Sequence, residues 1–242
     1  MFTPIGFFAA AGGGVITDNL QQWLDVVGAG GTESSALSDS SGNGRNATNS
    51  GLSWDATNSW WYVSGNTDWT KHIDSGYRLS NFGGSHSFTL ECWINMQTVS
   101  DNSYVGIIHN RSGIYSNNFV ECAMGGADEG DINFALVDTS GNEGAANTAN
   151  TFPSQWVMLS FVNDGTTNTM TVFVNGVSEA TGDSSAIGNV TRAENLSLYG
   201  NFLRSNRYIE DAYFGSYRVY NVAHTATEAL NNFNAEKSHF GL

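Results

Sequence analysis

The apolar positions of this chain recur mostly in twos. In Ser87–Asn95, Phe88, Leu90, Cys92 and Ile94 fall on one side, and Thr89, Glu91 and Trp93 on the other. That period is the signature of a β-strand. Trp156–Val162 and Thr169–Val174 flank Asn163–Asn168 and predict a hairpin, with Asp164-Gly165 expected to supply the positive φ of the turn. Asn175-Gly176 then turns the chain again. Further strands are predicted at Tyr104–His109, Asn118–Met124, Ile132–Val137, Leu196–Tyr199 and Ala212–Tyr220. Leu20–Asp25 brings Leu20, Trp23 and Leu24 close together and reads as a first strand or a helical turn. One helix is clearly signalled. Thr225-Ala-Thr-Glu228 has the form of a capping box, and Leu230 and Phe233 follow three apart on one face. Many short strands with one late helix predict an all-β sandwich or jelly roll.

Composition narrows the function. The 242 residues are 40% hydrophobic and 12% aromatic, enough for a sizeable core. Pro4 and Pro153 are the only prolines, and no repeat or linker divides the chain, so one folded domain is expected over residues 15–242. Only 13% of residues are charged, and the net charge is -14 with nine Lys and Arg. Such a chain has no basic footprint for nucleic acid, and an anionic membrane surface repels it. The opening apolar stretch is too short to span a bilayer. Cys92 and Cys122 are too few for a disulfide framework and lack zinc spacing; a pair of buried thiols is expected.

Four segments carry a resemblance. They are Asp39-Ser-Ser-Gly-Asn-Gly-Arg-Asn-Ala, the Ser87–Ile94 strand ending in Trp-Ile, the Trp156–Gly176 strand and hairpin, and Arg218-Val-Tyr-Asn-Val-Ala-His-Thr-Ala-Thr-Glu. In this order they resemble the concanavalin A-like lectin/glucanase superfamily in its laminin G-like branch, over about Leu20 to Leu242. The resemblance implies a jelly-roll sandwich whose two ends meet. It also implies a Ca²⁺ site near the sandwich edge, with Asp39 and Asp211 as the best positions and Asp25 as a third. Read from the residues alone, Asp39 makes an Asx turn and Asp211 is a solvated strand end.

Catalysis is not signalled. Glycan-cleaving members of this superfamily place paired carboxylates two and four apart on one strand face, and no such run occurs here. Glu91 and Glu121 are single carboxylates on separate strands, and the five histidines stand apart. Trp54, Trp60, Trp61 and Trp69 lie in loop-like sequence near Tyr62, Asn58 and Asp68. They form either a carbohydrate-binding platform or a surface buried at the sandwich edge or in a homo-oligomer.

Residues 1–14 form an apolar arm ending in three glycines, with Phe2, Ile5, Phe7 and Phe8 as its anchors to a partner. The arm lacks the basic start of a signal peptide. It is similar to the starts of laminin G-like structural proteins of tailed bacteriophages. The expected role is therefore a non-enzymatic virion surface protein of the capsid decoration or head-fibre type. Its partners would be other virion proteins and host-surface glycans. The alternative is an extracellular lectin-like module using Ca²⁺; a glycoside hydrolase comes third.

Overall fold

The computed structural model describes residues 14–28, 35–65, 70–79, 82–99, 105–110, 117–125, 131–191, 194–199 and 209–242. The arm residues Phe2, Ile5, Phe7 and Phe8, and also Trp69, lie outside them. The strands are β1 (Leu20–Leu24), β2 (Ala36–Leu37), β3 (Ala47–Ser50), β4 (Ser53–Asp55), β5 (Trp60–Val63) and β6 (His72–Asp74). Next come β7 (Phe82–Gly83), β8 (Phe88–Val99), β9 (Val105–His109), β10 (Phe119–Met124), β11 (Ile132–Val137) and β12 (Glu143–Asn147). The last are β13 (Val157–Asp164), β14 (Thr169–Val174), β15 (Val177–Asp183), β16 (Asn189–Val190), β17 (Ser197–Leu198) and β18 (Ile209–Tyr220). Helix α1 (Ala226–Glu236) and a 3₁₀ turn (Lys237–Phe240) close the chain.

Two antiparallel sheets face each other. The first has the order β15-β14-β13-β8-β18-β5-β4, with β1 also paired to β18. The second has the order β12-β11-β10-β9-β17-β6-β3-β2, and β16 pairs with β7 separately. This is the jelly-roll sandwich expected. Leu20–Leu24 is a strand: it pairs with Tyr217–Tyr220, so the start and end of the domain are hydrogen-bonded neighbours. β18 is long enough to hold β5 along Ala212–Phe214 and β1 further on.

The core lies between the sheets. Phe88, Leu90, Cys92 and Ile94 face inward beside Phe161, Leu159 and Val157, their cross-strand partners on β13. Both cysteines are buried and unpaired, and burial pushes both thiols above their ordinary pKa. The hairpins depart from expectation in one detail. Positive φ in the β13–β14 turn falls on Asn168 (54°), not on Gly165. Gly165 is needed for another reason: a Cβ there would strike the backbone of Ser85 and His86. In the next turn Asn175 and Gly176 take φ of 53° and 79°, as the sequence suggests.

The second side of β8 is not exposed either. Thr89, Glu91 and Trp93 are all fully buried, because α1 and the 3₁₀ turn lie across them. The capping box is formed: Thr225 accepts from the Glu228 amide, and Glu228 accepts from the Thr225 amide at 2.7 Å. The buried face of the helix differs from the one expected. Phe233 stacks on Trp93, but Leu230 is 42% exposed, while Ala229, Asn232 and Glu236 are buried. A helix that turns an Asn and a Glu inward must meet polar partners.

It meets Arg218, a fully buried arginine on β18. Its guanidinium pairs with Glu91 at 3.1 Å and with Glu236 at 2.9 Å. Glu91 also accepts from Ser160 (3.2 Å) and Asn232 (2.9 Å), and faces His224 Nδ1 at 3.3 Å. Glu236 accepts from the Trp93 indole (2.7 Å) and from the Ser216 hydroxyl (3.1 Å). Asn232 accepts from the Ile16 amide, and the Tyr220 hydroxyl donates to the Ile16 carbonyl. The cluster thus ties the chain's first described residues, three central strands and the helix into one hydrogen-bonded unit.

Removing one member of such a buried pair strands the other charge, at a cost of about 3–5 kcal/mol. Arg218→Met is expected to lower stability by about that amount in denaturant unfolding, whereas Leu230→Ala stays within about 0.5 kcal/mol. Burial by itself would raise the Glu91 carboxyl, but the His224 contact, the Arg218 charge and the Asn232 bond outweigh it and hold it below the ordinary 4.5. A depressed carboxyl contributes stability that is complete above its unfolded pKa and is lost as pH falls through its native one. The unfolding midpoint is therefore expected to drop as pH falls below about 4.5. Glu91→Gln should flatten that acid limb, which a pH series of denaturant titrations measures.

Candidate functional site

The solvent face of the first sheet is open at its β4 edge. β4 and β5 pair in the register Ser53↔Tyr62, Trp54↔Trp61 and Asp55↔Trp60. Along β5 the burial alternates: Trp61 and Val63 point into the core at 2% and 5% exposure, while Trp60 and Tyr62 are half-buried on the outer face. Tyr213 on β18 is the direct cross-strand partner of Tyr62 and stands beside it. Together these strands form a groove of about 450 Å³ lined by Trp54, Asp55, Ala56, Tyr62, Val63, Ser64, Asp211 and Tyr213.

Both carboxylates of the groove are held by the local backbone. Asp55 Oδ1 accepts from the Thr57 and Asn58 amides, and Oδ2 accepts from the Asn58 side chain at 2.7 Å. The Asn58 side-chain bond, aided by these amides, lowers the Asp55 pKa, so the group stays ionised into the acid range. Asp211 Oδ1 accepts from the Gly65 amide at 2.8 Å, tying the end of β5 to β18. Asp211 lies within β18 rather than before it.

The rings continue away from the groove. Tyr213 stands 5.9 Å from Trp60, Trp60 5.2 Å from Trp156, Trp156 4.7 Å from Phe240, and Phe240 4.2 Å from Trp93. Trp93 donates to Glu236, so this aromatic ladder runs from the groove to the buried ion cluster. A Cβ at Gly215 would come within 2.6 Å of Phe240, so glycine is required there to seat the C-terminal ring.

The structure divides the aromatic platform expected from sequence. Trp54 lines the groove, and Trp60 supports it through Tyr213. Trp61 does not reach solvent: it sits in the core, 5.4 Å from Trp54, because alternation along β5 sends it inward. Tyr213 and Asp55 were not singled out from sequence. The signal for Tyr213 was its place two residues after Asp211 in a strand whose neighbours Ala212 and Phe214 are the inward ones.

The three aspartates named for Ca²⁺ form no carboxylate cluster with one another. Among the described residues no group of three or more His, Cys, Asp or Glu side chains converges, so Asp25, Asp39 and Asp211 make no common site. Asp39 Oδ1 accepts from the Trp23 and Ser41 amides, and Oδ2 from the Arg45 amide and the Ser41 hydroxyl. These N–H and O–H donors occupy the lone pairs a cation would need. Burial would raise the Asp39 carboxyl, but these bonds lower it overall. Asp25 Oδ1 likewise accepts from the Val27 and Gly28 amides. The early Ser-Gly-Asn-Gly segment is thus a turn that staples β1 to the following loop.

Two constellations have a catalytic look, and burial decides both. Glu91 and Glu236 do converge, but on Arg218 and beneath the helix, at 0% and 2% exposure. On the second sheet, Glu121, His109, Ser197 and Asp74 stand in register across β10, β9, β17 and β6. There Glu121, His109 and Ser197 are 7%, 1% and 3% exposed, so the serine hydroxyl is shut away from solvent.

A family model described as the concanavalin A-like lectin/glucanases superfamily matches residues 72–229, more than half of the chain. The chain belongs to that superfamily. Curated protein sequences give no match. Among solved structures, the binding domain of paraclostridial mosquitocidal protein 1 is similar with a TM-score of 0.68 and 16% identity, covering 90% of this chain and 52% of that one. The receptor binding domain of botulinum neurotoxin D gives 0.69 and 12%, covering 91% and 53%. The botulinum neurotoxin serotype G binding domain gives 0.67 and 13%, covering 90% and 51%. This superfamily member therefore spans about half the length of those structures, and at such identities the likeness is one of fold.

Proposed function

We propose that this chain is a non-catalytic recognition domain that binds a glycan in the groove at the β4 edge. One observation carries the reading. Tyr62 and Tyr213 present aromatic rings side by side in a concave site, lined also by Trp54, that holds two oriented carboxylates, Asp55 and Asp211. Apolar rings take the faces of sugar rings, and a few fixed polar groups take their hydroxyls, which is the usual economy of a small-ligand site. The superfamily's name includes lectins, and the solved structures of similar fold are binding domains, which agrees with recognition. The carboxylates that do meet are neutralised by an arginine and covered by a helix, and this favours binding over hydrolysis.

We place this domain on the surface of a bacteriophage virion, as a capsid decoration or head-fibre protein. The arm supports this placement. Phe2, Ile5, Phe7 and Phe8 precede a glycine run, and each would bury roughly 1.5–3 kcal/mol of apolar surface against a neighbouring virion protein. The chain emerges from the arm at Ile16, whose backbone is pinned to Asn232 and Tyr220 beside the helix.

Two outcomes are expected. On a glycan array followed by calorimetry, Tyr62→Ala and Tyr213→Ala should each weaken the best sugar by about 10-fold, equivalent to ~1.4 kcal/mol, while the protein still unfolds cooperatively. Binding indifferent to both changes would remove the groove from the reading. A form lacking residues 1–14 should fold normally yet fail to co-purify with particles; incorporation equal to the full chain would refute the arm's docking role.

A further inference from the structure

We infer that the glycan of this groove is positively charged: an oligosaccharide of amino sugars whose amines are free rather than acetylated. The inference rests on the glycan-binding reading and adds the ligand's charge to it. Among the described residues that line the groove, the charged ones are Asp55 and Asp211, both acidic. Asp55 has Oδ1 fixed by the Thr57 and Asn58 amides and Oδ2 by the Asn58 side chain, and Asp211 has one oxygen fixed by the Gly65 amide. The carboxylates are thus oriented before any ligand arrives, and their charge meets no described cation in the groove.

The aromatic rings act in the same sense. The faces of Tyr62 and Tyr213 carry negative electrostatic potential and attract an ammonium group as well as the apolar face of a sugar. A protonated amine therefore finds two carboxylates and two rings in one concave site. An acetylated amine keeps the stacking and loses the charge. A sialic acid, uronic acid or sulfated sugar meets repulsion at the site and from a chain of net charge -14.

The test is calorimetric titration of the full chain at pH 6 with three probes: a glucosamine hexamer, an N-acetylglucosamine hexamer and 6′-sialyllactose. The glucosamine hexamer is expected to bind about 10-fold tighter than its acetylated counterpart, from pairings each worth up to about 5-fold. That advantage should shrink in 0.5 M NaCl, where exposed charges are screened. Asp211→Asn keeps an acceptor for Gly65; it should weaken the glucosamine hexamer about 5-fold and leave the acetylated hexamer unchanged. Equal or tighter binding of the acetylated or sialylated sugar overturns the inference and leaves the glycan reading standing. A glucosamine preference untouched by Asp211→Asn and Tyr62→Ala also overturns it, since it would come from the chain's overall charge. Binding of none of the three overturns both.

Discussion

A fully buried arginine imposes the strongest constraint on this fold. Arg218 sits on the outer side of the first sheet, where an uncovered β-sandwich would face water. With Glu91 beside it and no solvent, the pair is stable only if further groups complete its hydrogen bonding. The C-terminal helix brings them: Asn232 reaches Glu91, and Glu236 reaches Arg218. One guanidinium stands against two carboxylates, and His224 Nδ1 faces Glu91 at 3.3 Å. The helix therefore docks through its polar residues, and its position is fixed by direction-dependent bonds as well as by contact area.

That arrangement explains which parts of the fold the sequence made legible. Alternation on β8 named the inner face correctly, since Phe88, Leu90, Cys92 and Ile94 all lie in the core. The capping box was legible because it is a local motif that needs no tertiary partner. The buried face of the helix was not. Hydrophobic periodicity points to Leu230 and Phe233, and it has no way to show that Asn232 and Glu236 are inward because an arginine eighteen residues before Glu236 awaits them. A pattern of apolar positions is blind to burial that is driven by charge pairing.

The site was legible in part. Trp54 and Asp211 meet in the groove as members of two separate expectations, one for sugar and one for metal. Proximity of Trp60 and Trp61 in sequence suggested one platform, yet a strand sends neighbours to opposite faces. Asp39 shows what the early motif does in the fold. Its carboxylate accepts from four donors in its own turn and in Trp23, and these bonds make the turn recognisable.

The groove and the buried cluster are mechanically one structure. Tyr213 rests near Trp60, Trp60 against Trp156, and Trp156 against Phe240, which lies over Trp93 where Gly215 leaves room. Trp93 is in turn hydrogen-bonded to Glu236. Rings in mutual contact have fewer rotamers open to them, so the ladder restricts the orientation in which Tyr213 meets the groove. The charge cluster thus reaches the site through contact. By holding the helix and the last turn in place, Arg218 also keeps the far end of the ladder seated, and an aromatic wall at the sheet edge keeps its shape although, among the described residues, β4 has no further strand beyond it. A recognition site at an open edge needs that kind of support, because an edge strand of three residues has little packing of its own.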